Sequence, residues 1–253
     1  MPEVTHAGVL LHIEENVPLA PKTTLELGGP ARFFCTCRTS AELISALAWA
    51  ERQKVSVEIL GGGSNVVVAD EGFDGLVLAV HILGTEISHH GDVVHVTANA
   101  GVAFDELVLS TVREGWQGLE CLSGIPGFVG ATPIQNVGAY GCEIADVVHS
   151  VEAIDRSNLQ NRVFNKSDCH FEYRHSIFKS QPNRFVVTAV TFALKAGAPP
   201  VIRYQELHDA LTLKAELTLA DVRSAVLALR RKKSMVIDPH DVNRRSVGSF
   251  FMN

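Results

Sequence analysis

Apolar residues recur along the chain with helical and strand periods in turn. Leu43, Ile44, Leu47 and Ala50 follow Thr39-Ser-Ala-Glu42 at helical spacing. That tetrapeptide has capping-box form, which satisfies free N–H groups of a first turn, so a helix is predicted there. Residues 55–60 read as a strand running into Gly61-Gly-Gly-Ser-Asn65, and Val66, Val67 and Val68 resume a strand beyond it. Residues 94–98 alternate as a half-buried strand does. Phe104, Leu107, Val108, Thr111 and Val112 mark one face of a second helix, closed by Gly115. Further strands are predicted over 148–155 and 185–194, with a linker over 196–200. A last helix opens at Thr218-Leu-Ala-Asp221 and turns Val222, Ala225, Val226 and Leu229 inward.

Residues 118–141 fit neither period. They hold too many Gly and Pro for a regular element and too many apolar residues for a disordered linker. Long ordered loops of this kind usually carry function.

Composition narrows the function classes. With 253 residues, 46% of them hydrophobic, the chain can bury the core of one to two domains. A net charge of −6 gives no general nucleic-acid or membrane-surface footprint. Basic residues concentrate between Arg223 and Arg245, which suits an anionic small ligand. Around Arg230 to Lys233, cations complementing a helix dipole explain the cluster equally well. The five cysteines (Cys35, Cys37, Cys121, Cys142 and Cys169) are odd in number and lack a CxxC pair. Cys35 and Cys37 would share one strand face and read as structural rather than metal-binding. With no secretory signal and no apolar run of ~20 residues, a reducing, cytoplasmic setting is expected.

Gly61-Gly-Gly-Ser-Asn65 permits positive φ and close backbone approach, so successive N–H groups can face a phosphate. It is not a Walker loop, since no Gly-Lys-Ser/Thr follows. Nor is it the Rossmann fingerprint, because Val66 stands where a third glycine belongs. Alone, it could equally be a tight hairpin turn. The second glycine-rich region shifts that balance. Two such loops, bearing Ser64, Asn65, Ser123, Thr132, Gln135 and Asn136, could clamp an elongated dinucleotide, with its pyrophosphate on backbone amides and its ring against residues 125–127.

These motifs carry a resemblance. Gly61-Gly-Gly-Ser-Asn65, Ser123-Gly-Ile-Pro-Gly-Phe-Val-Gly130, Pro133-Ile-Gln-Asn-Val-Gly-Ala-Tyr-Gly141, Tyr173-Arg-His-Ser-Ile-Phe-Lys179 and Val247-Gly-Ser-Phe-Phe251 resemble, in order, those of the UDP-N-acetylenolpyruvoylglucosamine reductase family. Thr23-Thr-Leu-Glu-Leu-Gly-Gly-Pro-Ala31 is similar to its N-terminal motif. The resemblance implies an α+β fold with a bipartite FAD-binding domain of the vanillyl-alcohol-oxidase/PCMH type over 1–196, in subdomains of about 1–70 and 71–196. Residues 197–253 would be a linker and the incomplete start of an α+β substrate domain. It implies non-covalent FAD, NADPH as co-substrate and a UDP-sugar substrate, reduced to UDP-N-acetylmuramate for peptidoglycan synthesis, cell-wall biogenesis, cell shape and cell division. A monomer is expected, without nucleic-acid, membrane or metal partners.

Residue roles follow from the same resemblance. Gly61, Gly62, Gly63, Ser64, Asn65, Ser123, Ile125, Gly127, Gly130, Thr132 and Tyr140 would contact FAD. Arg174 would stabilise an enolate, Ser249 would protonate the substrate carbon, and Tyr204, Arg230 and Lys233 would hold the UDP-sugar. A guanidinium preorganised at a developing oxyanion contributes ~3–4 kcal/mol. A serine hydroxyl is a poor acid and needs neighbours such as the Arg230–Lys233 and Arg244–Arg245 cations. Outside that context, Arg174 reads as a surface arginine on an aromatic ring, Ser249 as a turn residue and Tyr140 as packing for the glycine loop. His170 and His175 show no ligand spacing.

The Tyr173–Lys179 motif implies the tyrosine-loop subclass, whose substrate-covering loop would lie beyond Asn253. The family's catalytic glutamate also lies near its C-terminus, and neither Glu206 nor Glu216 replaces it. A C-terminally truncated member is therefore expected to bind FAD but to turn over poorly. Two other readings stay open: another flavoprotein oxidase of the superfamily, and a non-catalytic FAD-binding module.

Overall fold

Two β-sheets frame the chain up to residue 196. The computed structural model describes residues 3–6, 8–211 and 216–248. The first sheet contains β1 (Glu3–His6), β2 (Val9–Pro18), β3 (Pro30–Cys37), β4 (Ser56–Leu60) and β5 (Phe73–Val80), in the order β1-β2-β3-β5-β4. The β1–β2 and β2–β3 pairs are antiparallel, whereas β5 runs parallel to both β3 and β4.

Helix α1 (Ser40–Gln53) covers this sheet. Thr39 Oγ1 accepts from Glu42 N at 3.1 Å, while the Glu42 carboxylate reaches back to Arg38 N at 2.5 Å, one residue beyond the position a capping box expects. Leu43, Ala46, Leu47 and Ala50 enter one core with Leu11, Ile13, Leu76 and Leu78. Cys35 and Cys37 point into that core from the same strand face, as structural residues would.

The second sheet contains β6 (Thr85–His90), β7 (Val93–Asn99), β8 (Trp116–Gln117), β11 (Val148–Asp155), β12 (Gln160–Asn165) and β13 (Phe185–Ala196). Between β8 and β11, β9 (Gly138–Ala139) and β10 (Cys142–Glu143) form a separate ribbon. The order is β12-β11-β13-β7-β6, with β8 pairing the end of β13. Val94, Val96 and Ala98 of β7 are buried in alternation. Helix α2 (Phe104–Arg113) buries the face formed by Phe104, Leu107, Val108, Thr111 and Val112. Ile154 and Val186 of this sheet pack into the core of the first, so the sheets share apolar contact. After the short α3 (Ile177–Ser180), α4 (Gln205–Leu211) and α5 (Leu219–Lys232) close a smaller core on Cys121 through Leu207, Leu211, Val222, Val226 and Leu229.

Two expectations are corrected. Residues 66–68 are not a strand: Val67 is 61% exposed, and the next strand starts at Phe73. Because β4 and β5 are parallel, residues 61–72 must carry the chain back along the sheet, which also removes the hairpin-turn alternative. β5 completes the first sheet, which therefore extends past the expected subdomain limit of about 70.

Candidate functional site

The two glycine loops touch through their backbones. A Cβ on Gly62 would lie 2.8 Å from Gly127 Cα, and one on Gly127, at φ +100°, would lie 2.7 Å from Ser64 Oγ. A side chain at either position would push the loops apart. Asn65 extends the junction: its Oδ1 accepts from Gln135 Nε2 at 3.4 Å, and its Nδ2 donates to Val247 O at 2.9 Å. The second loop hangs on the second sheet and α2, with Phe104 N donating to Gly127 O at 2.9 Å and Gly130 N to Ala100 O at 3.0 Å.

A cleft of about 500 Å³ opens at this junction. Gly61, Gly62, Gly63, Ser64, Asn65, Ile125, Gly127 and Thr132 line it. Arg174, Lys179, Arg230 and Arg244 also line it, and among the described residues no carboxylate does. A second cleft of about 350 Å³ runs between the sheets, lined by Glu58 of β4 and by Val186 and Val187 of β13, with Gly130 in its wall. It shares Ile59, Gly61, Phe128, Ala131, Ile134 and Lys179 with the first. Arg156 faces this second cleft, and its Nη1 is buried with no hydrogen-bond partner. Burial pulls its pKa down, opposed by Glu58. Joined clefts, a cationic lining and an unsatisfied guanidinium fit a long anionic dinucleotide such as FAD.

Arg174 is held in an uncommon conformation. It has φ +53° in the turn where Glu172 and His175 exchange backbone hydrogen bonds of 3.2 and 3.1 Å. A non-glycine residue keeps such a backbone only when its surroundings over-determine it. Here Lys179 Nζ donates to Arg174 O at 3.0 Å, while Arg174 Nη2 donates to Gly138 O at 2.8 Å and Nη1 to Asn136 O at 3.4 Å. The Tyr173 ring lies 5.4 Å from the guanidinium. Ser176 fastens the same segment, donating to Ile134 O at 2.7 Å and capping α3.

Some expected site residues sit elsewhere. Ser123 lines neither cleft; it is fully buried, and its hydroxyl donates to Glu120 O at 2.6 Å, supporting the loop from behind. Tyr140 also leaves the cofactor cleft. With φ +51° followed by Gly141 at +77°, it forms the two-residue turn between β9 and β10, which projects its ring toward α4 and α5. There it meets Tyr204 edge-on at 5.6 Å, with Lys233 Nζ 6.0 Å from its centre. Lys233 also pairs with Glu206 at 2.7 Å, which raises its pKa. Tyr204 and Lys233 therefore gather around Tyr140, whereas Arg230 turns into the cleft. Arg230 Nη2 donates to Met235 O at 2.7 Å, and its buried Nε has no partner. Ser249 lies outside the described residues.

Sequence reasoning missed the fasteners. Asn136, buried at φ +46°, donates through Nδ2 to Glu143 Oε2 at 2.6 Å and to Glu172 O at 3.1 Å, and accepts from Ala145 N at 3.1 Å. Arg244 and Arg245 both pair with Glu26, tying residues 244–248 to the N-terminal motif. An Asn beside a glycine loop tolerates positive φ, which was the available signal for Asn136; the Glu26 pairing has no sequence signal.

Known proteins resemble this chain in sequence and fold. An FAD binding domain family matches residues 31–158, which include both glycine loops. The UDP-N-acetylenolpyruvoylglucosamine reductase of Thermobifida fusca (strain YX) is 49% identical over 244 residues, covering 94% of this chain and 68% of that protein. The crystal structure of UDP-N-acetylenolpyruvylglucosamine reductase from Thermus caldophilus superposes with a TM-score of 0.68 at 26% identity, covering 94% of this chain and 73% of that one. A vanillyl-alcohol-oxidase-type flavoprotein from Myceliophthora thermophila C1, at TM-score 0.50 and 19% identity over 66% of this chain and 32% of that one, shares the fold alone. No helix among the described residues is long and apolar enough to cross a membrane. The Thermobifida match runs through the glycine loops, the arginine turn and the helix of cations alike, and the chain belongs to the UDP-N-acetylenolpyruvoylglucosamine reductase family.

Proposed function

We propose that the joined clefts hold FAD without a covalent tether and that the chain reduces UDP-N-acetylenolpyruvoylglucosamine to UDP-N-acetylmuramate at the expense of NADPH, a peptidoglycan-precursor step. The observation that carries this reading is the cleft lined, among the described residues, by four cations and no carboxylate between two touching glycine backbones. No His or Cys lines either cleft among the described residues, which favours dissociable FAD over a tethered oxidase cofactor. When bound, FAD supplies the two-electron redox chemistry between NADPH and the enolpyruvyl carbon.

The chain's own residues do the rest. Gly61–Gly63 present backbone N–H groups to the pyrophosphate, and Arg156 offers its unsatisfied donor to the far end of the dinucleotide. Arg174 spends two N–H groups on loop carbonyls, which aims its planar head and leaves donors for the enolpyruvyl carboxylate, where negative charge develops. Arg230 and Lys233, with Tyr204, hold the UDP-sugar. Ser249 is the proposed proton donor to the substrate carbon. Residues 197–253 are proposed to start the substrate domain. Five unpaired cysteines fit a reducing cytoplasmic setting.

The test begins with purified protein. Acid precipitation should release a yellow flavin into the supernatant, and NADPH oxidation should depend on the enolpyruvyl sugar nucleotide. Flavin that stays in the pellet would reject dissociable FAD, and a protein that takes up none would remove the reading.

A further inference from the structure

Arg223 has no part in the proposed contacts with FAD or the UDP-sugar, yet it makes a two-pronged ion pair between α5 and α2. It donates to Asp105 of α2 through both ends of its fork, Nη1 to Oδ1 at 2.6 Å and Nη2 to Oδ2 at 2.8 Å. The pair is largely enclosed, with side-chain exposures of 12% for Arg223 and 34% for Asp105. Asp105 Oδ1 also accepts from Gly124 N at 2.5 Å. One carboxylate thus grips both the helix bearing Arg230 and the loop bearing Ile125. Burial works to raise its pKa, but the Arg223 fork and the Gly124 N–H outweigh that and hold it below the usual value.

Gly124 also packs closely against α5. At φ +74°, a Cβ there would lie 2.7 Å from Leu227 Cδ2 and 3.3 Å from Arg230 Nε. Arg223, Leu227 and Arg230 stand at i, i+4 and i+7, on one face of the helix. The same face therefore carries the grip on Asp105, the contact with Gly124 and the guanidinium whose Nε has no partner. If α5 moved against the loop, Arg230 would shift within the cleft.

We propose that the Asp105–Arg223 pair is a positioning latch. It sets the register of α5 against the flavin-side loop, so that Arg230 is presented to the diphosphate of the sugar nucleotide. Neither residue touches the ligand. The inference rests on the proposed UDP-sugar reading of Arg230 and adds that the affinity is set from the far side of the loop.

The experiment titrates UDP into the FAD-loaded protein, following the flavin absorbance change and, in parallel, the heat of binding. Arg223→Gln and Asp105→Asn should each weaken UDP by about tenfold or more, Arg223→Lys, which keeps the charge but not the fork, should recover only part of the loss, and FAD affinity should change little. In an Arg230→Gln background, Arg223→Gln should cost nothing further. A pair with a merely structural role would lower the melting temperature and weaken UDP equally in both backgrounds, and that additivity would overturn the latch. If Arg230→Gln weakens UDP while Arg223→Gln does not, the latch fails and the reading of Arg230 stands. Failure of the unaltered protein to bind UDP would remove both.

Discussion

Asn136→Ala is expected to destabilise the protein by about 4 kcal/mol. The substitution removes three hydrogen bonds, from Asn136 to Glu143 and Glu172 and from Ala145 to Asn136. These bonds are partly buried, so about 1 kcal/mol each is appropriate, or about 3 kcal/mol together. Alanine at φ +46° adds about 1 kcal/mol that asparagine largely avoids. Asn136→Gly loses the same bonds but not the backbone term, so it should cost about 3 kcal/mol. Urea unfolding followed by tryptophan fluorescence, extrapolated linearly to water, measures both variants. A loss below about 1 kcal/mol for Asn136→Ala would mean that these bonds contribute little. Equal losses for the two variants would refute the assigned cost of left-handed backbone at this position.

Gly127→Ala should weaken FAD by about tenfold or more, because its Cβ would meet Ser64 Oγ and its φ of +100° suits glycine; unchanged flavin affinity in a fluorescence titration would mean that the loops do not need this contact. Arg174→Lys should keep FAD binding but slow substrate-dependent NADPH oxidation by about 100-fold, since an ammonium cannot reproduce the planar fork; a near-normal rate would return Arg174 to a structural role. Hydrogen bonds from Ser157, joined by Arg184 and Arg162, hold the Asp155 carboxyl at about 2 in the folded state, below the ~3.9 of a free aspartate. The stability it contributes is therefore present above about pH 4 and lost as pH falls toward 2, so melts of the unaltered protein and Asp155→Asn should differ at pH 6 and converge near pH 2.

The sequence made legible the elements that bury one face. β7, β11, α1 and α2 carry apolar residues at strand or helix period, and the structure places those faces in the cores. Strands without that burial left no signal. Every residue of β6 is exposed, and β12 buries only Phe164; both are edge strands, whose pairing depends on a neighbour's register rather than on their own pattern. β5 failed for the opposite reason: Leu76 to Val80 are all buried, a continuous run that a central parallel strand permits but that no alternation marks. In the site, glycine composition identified the loops that touch. It could not indicate that Tyr140 would spend its positive φ on a ribbon turn facing α4 and α5, because that direction is set by pairing between β9 and β10.

That ribbon joins the two halves of the proposed site. Gly138 begins it and offers its carbonyl to Arg174 Nη2; Tyr140 turns it and supplies the ring met by Tyr204 and Lys233; Glu143 ends it and receives Asn136. The arginine proposed at the enolate and the residues proposed at the sugar nucleotide are therefore braced by one six-residue span of backbone, although they lie far apart in sequence. The span leaves little room for change: a Cβ on Gly138 would lie 2.8 Å from Cys142 O and 3.4 Å from Arg174 Nη1. A methyl group there would have to displace either the partner strand of the ribbon or the guanidinium it positions. Gly138 is thus required by the packing that aims Arg174, where composition alone presented it as one more flexible loop residue.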